Sequence, residues 1–163
     1  VIFLTVGTQL PFDRLVRALD SWAGARDQRA IFGQIADPGP DGYRPKNFPF
    51  TDHVPPAEFQ QRCRDATLIV AHAGMGSLIT AMTFGKPILV MPRRGHLNEH
   101  RNDHQFATAG KLGNRPGVAV ALDDVALAEK LDAMLAGGGS AAGGLPPFAD
   151  DRLIAAVRQA ILG

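Results

Sequence analysis

The sequence predicts an α/β fold, a doubly wound and mainly parallel six-stranded sheet with helices on both faces. Three observations predict it. Short β-branched runs alternate with helical stretches along the chain. Those runs are apolar at successive positions, as in strands buried on both sides. Glycine and proline breaks separate the runs at short intervals. Short right-handed connections then wind the chain around one sheet.

The elements follow in order. "VIFLTV", residues 1–6, is the first strand and breaks at Gly7 and Thr8. A helix follows, with Pro11 expected in its first turn, Asp13 near its positive end and Leu15, Val16 and Leu19 on one face. "AIFGQIA", residues 30–36, is the second strand, and the Pro-, Gly- and Asp-rich residues 37–47 form a loop. "FPFT", residues 48–51, is a short third strand, with a helix over about 56–64 after the Pro55-Pro56 pair. "TLIVAH", residues 67–72, is the fourth strand, and residues 77–84 form the helix beyond its glycine turn. "PILVMP", residues 87–92, is the fifth, followed by a polar segment that runs into a helix ending near Leu112. "GVAVAL", residues 117–122, is the sixth, and Asp123 or Asp124 caps a helix to about Leu135. This organisation predicts a domain over 1–136, a flexible Gly/Pro-rich linker over 137–147 and a C-terminal helix over 148–163. That helix carries Leu153, Ile154, Val157 and Ile161 at helical spacing. It either packs back on its own domain or docks on a partner.

Composition narrows the classes. The 163 residues fit one domain with a full-sized core. A formal net charge of +1 provides no general attraction for nucleic acid. A single cysteine, Cys63, excludes an intramolecular disulfide framework and a zinc ribbon. No apolar run approaches the roughly 18 residues of a membrane helix, and the opening residues read as a strand, not a signal peptide. A cytoplasmic location is the expectation.

In folds of this class ligands bind beyond the carboxyl ends of the strands. That rule selects residues 7–9, 34–37, 72–77 and 93–105. Within "AHAGMGSLITAM", Gly74 and Gly76 would let backbone approach a ligand, and Ser77 would cap the helix or donate a hydroxyl. The free amides and positive end of that helix suit a phosphate. The alternative is a tight turn whose glycines serve only positive φ. The turn is neither a dinucleotide fingerprint nor a P-loop, because the third glycine and a following Gly-Lys-Ser/Thr are missing. Gly7 and Thr8 form a second phosphate-friendly turn on the same cleft.

"RRGHLNEHRNDHQ", residues 93–105, gathers more hydrogen-bonding groups than a core loop needs, and these suit a sugar. His96, His100 and His104 recur at four-residue spacing, which on one helix would align them as a metal site. Solvated histidines, or a polar loop without a ligand, remain open alternatives.

Taken together, "TVGTQLPFDRLV", "GQI", "HAGMGS", "GKPILVMPRR" and "NEHRNDHQ" resemble the carboxyl-terminal, donor-binding half of glycosyltransferase family 28, a group with the GT-B fold built of Rossmann-like domains. The resemblance covers about residues 1–135 and is strongest to stand-alone subunits of two-part enzymes. These are the bacterial exopolysaccharide glucuronosyltransferase subunit and the soluble subunit of the dolichol-linked N-acetylglucosaminyltransferase.

The resemblance implies a UDP-sugar site. Gly7, Thr8, Gly74, Gly76 and Ser77 would take the pyrophosphate, and Phe50, Thr51 and His53 would sit near the uracil. Arg93, Arg94, Glu99, Asn102, Asp103, His104 and Gln105 would serve the sugar. Thr80, the ribose candidate, stands where family members often place a ribose-binding glutamate; it would offer only a weaker, monodentate contact, which would shift ribose recognition to another residue. Arg93 and Arg94 would pair with a donor carboxylate or the pyrophosphate, or else lie solvated at a loop edge. The base is not identified, with His72, Glu99 and His100 as candidates. The helix dipole and arginines could support the leaving group without an obligatory metal or other cofactor. A membrane-associated partner subunit would bring the lipid-linked saccharide acceptor and recruit the chain to the cytoplasmic face of the membrane. Two other readings compete: a UDP-binding regulatory module without catalysis, and a zinc hydrolase using His96, His100 and His104.

Overall fold

The computed structural model describes residues 1–99 and 104–137, leaving out the side chain of Phe106. The predicted linker beyond 137 and the C-terminal helix lie outside the described residues, as do His100, Asn102 and Asp103.

Six strands form one sheet: β1 (Ile2–Thr5), β2 (Ile31–Gln34), β3 (Phe50–Thr51), β4 (Leu68–His72), β5 (Ile88–Met91) and β6 (Val118–Val120). Their order is β3-β2-β1-β4-β5-β6, and every pairing is parallel. The sheet is thus wholly and not only mainly parallel. The helices are α1 (Asp13–Ala25), α2 (Pro56–Asp65), α3 (Met75–Thr83), α4 (His104–Leu112) and α5 (Asp124–Ala136), with a 3-10 turn at Gly95–Leu97.

Alternation along each strand explains why the runs are apolar throughout. Ile2 and Leu4, Leu68 and Val70, and Leu89 and Met91 face one core with Leu15 and Trp22 of α1 and Leu127 and Leu131 of α5. Phe3, Ile69, Ala71, Ile88 and Val90 face the other core with Cys63 of α2, Leu78 and Met82 of α3 and Ala109 and Leu112 of α4. Burying both faces takes apolar residues at both parities.

Several boundaries differ from the sequence reading. Pro11 lies before α1, not in its first turn, and the helix opens on Asp13. Phe48 is buried, but only Phe50 and Thr51 pair with β2. The helix after the glycine turn starts at Met75, so Ser77 lies inside its first turn and Gly74 occupies the capping position without a side-chain cap. Asp123 is the cap of α5, accepting from the Ala126 amide at 2.8 Å.

From β1 the chain winds outward through β2 and β3, then returns to β4 beside β1 and winds the other way. The strand order therefore reverses between β1 and β4, and such a reversal opens a crevice at the carboxyl ends.

Candidate active site

A cleft of about 620 Å3 opens at that reversal. Gly7 to Leu10 form one wall and Gly74 to Ser77 with Thr80 the other; Gln34, His72, Arg93 and Gln105 also line it. All four segments selected from sequence contribute. Thr5 and Val6 at the end of the first strand, with His53, Val54, Pro56, Phe59 and Gln60 around the start of α2, complete it. The last four were not predicted. The rule that selected the other loops could have found them, because a helix following a parallel strand begins at the same rim of the sheet.

His72 lines the cleft between the two glycine turns. A Cβ on Gly74 would lie 2.1 Å from His72 Cε1, and one on Gly7 would lie 2.9 Å from Nε2. These two glycines therefore clear room for an imidazole of the protein itself. Gly7 also has φ +83°, a conformation that disfavours a side chain. Gly76 is different. A Cβ there meets nothing within 4 Å, so its space opens into the cleft. The first return bond in α3 runs from the Leu78 amide to the Gly74 carbonyl, so the amides of Met75, Gly76 and Ser77 precede the helical ladder. They present the positive end of a helix to the cleft.

The remaining predicted residues fall into distinct places. Ser77 is buried, with Oγ 3.4 Å from His72 Nε2. Thr80 lines the cleft and donates its hydroxyl to the Gly76 carbonyl at 2.8 Å, which leaves it acceptor capacity. Thr8 and His53 line the cleft and are exposed, whereas Phe50 packs against the α1-side core and neither it nor Thr51 is among the lining residues.

Arg93 is 2% exposed, and its guanidinium is occupied by the chain's own backbone. Nη2 donates to the Val6 and Leu10 carbonyls at 2.8 and 2.6 Å, and Nη1 to those of Pro11 and Glu99 at 2.7 and 3.3 Å. The group lies 4.7 Å from the centre of the Phe12 ring. Burial lowers its pKa to about 10, partly offset by Glu99, so it remains a cation at neutral pH. It is not a solvated loop-edge arginine; it clamps the β1–α1 loop that forms one wall of the cleft.

Glu99 lies outside the cleft lining. It grips Arg14 with two bonds of 2.9 Å and accepts from the Arg94 amide at 3.1 Å. Arg14 in turn donates to the Leu122 and Pro92 carbonyls, both at 3.0 Å. Arg94 itself is half-buried on the same segment.

Of the proposed histidine row, His96 and His104 do not share one helix, and His100 lies outside the described residues. His96 sits on the 3-10 turn, Asn98 follows with φ 56°, and His104 is the exposed first residue of α4. A left-handed residue between them breaks the helical register that would stack them. Among the described residues no group of three or more His, Cys, Asp or Glu could hold a metal ion. None of their helices is long and apolar enough to cross a membrane.

The glycosyltransferase family 28 C-terminal domain matches residues 1–138. No curated protein sequence matches the chain. Among solved structures, the glycotransferase of kitacinnamycin superposes with a TM-score of 0.65 at 18% identity, over 99% of this chain and 42% of its own. The UDP-glucose: anthocyanidin 3-O-glucosyltransferase in complex with UDP gives 0.63 at 12%, over 99% and 40%. The UDP-GlcNAc 2-epimerase from Neisseria meningitidis, bound to UDP-GlcNAc, gives 0.62 at 12%, over 99% and 43%. The chain thus spans less than half the length of these structures. At such identities the likeness establishes the shared Rossmann-like fold, and an epimerase among the neighbours shows that the fold does not decide the reaction. The family match speaks at the level of the domain: over its first 138 residues, the chain belongs to the C-terminal domain family of glycosyltransferase family 28.

Proposed function

We propose that this chain is the UDP-sugar-binding part of a glycosyltransferase that passes a hexosyl or glucuronosyl unit to a lipid-linked acceptor. The observation that carries the reading is the first turn of α3, where the amides of Met75, Gly76 and Ser77 meet open space at Gly76. An anionic diphosphate is the group that such a helix end favours. Developing charge on the leaving nucleotide would be stabilised there by fixed dipoles. Gln9, Gln60 and Thr80 offer neutral polar contacts to the rest of the donor.

The other half of the reaction is assigned to a partner subunit, membrane-associated and bearing the acceptor. Among the described residues no carboxylate lines the cleft, while Asp103 lies outside them. In this reading the partner supplies the base for the acceptor hydroxyl. The regulatory alternative keeps one observation in its favour: Thr80, which donates to the Gly76 carbonyl, offers a ribose no carboxylate. It predicts UDP binding without transfer in the assembled complex.

Calorimetry with UDP, UDP-glucuronate, UDP-N-acetylglucosamine and UDP-glucose tests the site. Gly76→Ala is the diagnostic variant. The added methyl meets no protein atom within 4 Å, and alanine favours a helix, so thermal stability should hold or rise. UDP affinity should nevertheless fall about tenfold, because the methyl occupies the ligand's approach. Absence of UDP binding by both the chain and its complex with the partner would refute the reading.

A further inference from the structure

His72 is held by an ordered chain of polarity that begins at a backbone amide. The N–H of Arg93 can only donate, and it meets Gln105 Oε1 at 3.2 Å. That contact fixes which end of the Gln105 amide is oxygen and which is nitrogen, a choice that heavy-atom shape leaves open. The Nε2 end, a pure donor, then lies 3.0 Å from His72 Nδ1. A donor facing Nδ1 requires a lone pair there. In the neutral ring the single proton must therefore reside on Nε2. Nε2 is the atom packed closest to Gly7, and it lies 3.4 Å from Ser77 Oγ in the first turn of α3.

We propose that Gln105 is a positioning residue that locks His72 in the Nε2–H tautomer, so that the imidazole presents a neutral N–H donor to an anion at the α3 turn. The lock has a chemical consequence. A base at Nε2 needs a lone pair on that atom, and the lock places a proton there. His72 is thus an oriented donor and not the acceptor's base. The Gln105 amide has one N–H and one lone pair beyond these two contacts, so the lock leaves it capacity for a ligand. The tautomer stands on the geometry alone, whereas its use toward a diphosphate rests on the donor-binding reading above.

Long-range proton–nitrogen correlation NMR on the full chain with isotope-labelled histidine reads the tautomer directly, with His72→Gln assigning the signal. At a pH where the ring is neutral, the wild type should show a bare Nδ1 and a protonated Nε2. Gln105→Glu keeps the shape but offers only acceptors, so the proton should move to Nδ1. Gln105→Met removes the partner and should give a mixture, with UDP bound about tenfold more weakly. An Nδ1–H ring in the wild type overturns the proposal, and that measurement needs no variant to fold. So does an unchanged tautomer, or unchanged UDP affinity, in a folded Gln105→Met protein. A wild type that shows the lock but binds no UDP supports the lock and overturns the donor-binding reading instead.

Discussion

Two buried ions, Asp20 and Arg93, solve the same problem with opposite signs in different parts of the molecule. Each is 2% exposed, and each is satisfied mainly by backbone groups of a loop. Asp20, on α1, accepts from the amides of Lys46 and Asn47 at 3.1 and 2.8 Å and from the Tyr43 hydroxyl at 2.6 Å. It pins residues 43–47, none of which lines the cleft. Arg93 donates to four carbonyls and pins residues 6–11, most of which do. The chemistry of burial is shared: a charge taken from water must meet several dipoles, or it costs several kcal/mol. The position of the fastened loop decides whether the ion serves stability alone or also holds a wall of the cleft.

The largest expected effect tests that statement at Arg93. Arg93→Met removes the cation and leaves four carbonyls without their donor. The loss should be about 3–5 kcal/mol, the range for breaking a buried ionic contact. UDP affinity should fall with it, because the Gly7–Leu10 wall is no longer tied to β5. Arg93→Lys should lie in between, since an ammonium cannot fork between the Val6, Leu10 and Pro11 carbonyls as a guanidinium does. Chemical denaturation and calorimetry on each variant provide the two readings. A destabilised Arg93→Lys that binds UDP as the wild type does would break the comparison.

Asp20→Ala should cost about 3 kcal/mol, or roughly 6–12 °C in Tm at this size. Its UDP affinity should stay within about twofold of the wild type. The pH dependence sharpens the contrast. Burial would raise the Asp20 pKa, but donation from Tyr43, Asn47 and Lys46 outweighs it, and the net direction is down. A carboxylate with a depressed folded pKa stabilises the protein above its unfolded value of about 3.9. That contribution is lost as pH falls through the folded value. Below about pH 4, wild-type stability should therefore fall more steeply than that of Asp20→Asn. Parallel acid-denaturation curves would remove Asp20 from the account. Tyr43, pushed up to about 12 by burial and by Asp20, keeps its proton throughout this range.

Much of the architecture was legible because it rests on local signals. The six apolar runs, the Pro56 helix start and the Asp123 cap are each written within a few residues. The segments that line the cleft were legible from one topological rule. The roles of individual side chains were not, and Arg93 and Glu99 show why. Both lie in a strongly polar segment after β5, and polarity there reads as ligand chemistry. Their partners, Val6, Leu10, Pro11 and Arg14, are more than eighty residues away in sequence. Nothing near residue 93 announces three distant carbonyls in need of a donor. The glycines carry a related lesson. Gly74 and Gly76 look alike in "HAGMGS", yet one clears His72 and the other faces open space. Only the direction of each Cβ distinguishes them, and that depends on where the imidazole turns.

Glu99 gives the smallest expected effect and the sharpest test of the boundary between the two regions. It is buried more than its partner, with 12% of its side chain exposed against 26% for Arg14. Glu99→Gln keeps the shape and one acceptor but removes the charge that Arg14 grips twice. Arg14 retains its bonds to the Leu122 and Pro92 carbonyls, so the cost should be about 1 kcal/mol. UDP affinity should hold, because Glu99 lies outside the cleft lining and the Arg93 clamp takes only its backbone carbonyl. A base in the reaction would behave differently. Its loss should slow transfer by the assembled enzyme about a hundredfold or more, with little change in Tm. A small fall in Tm with transfer intact places Glu99 among the residues that fasten this loop. The opposite pattern would return it to the chemistry and would mean that the segment closes over the cleft during the reaction.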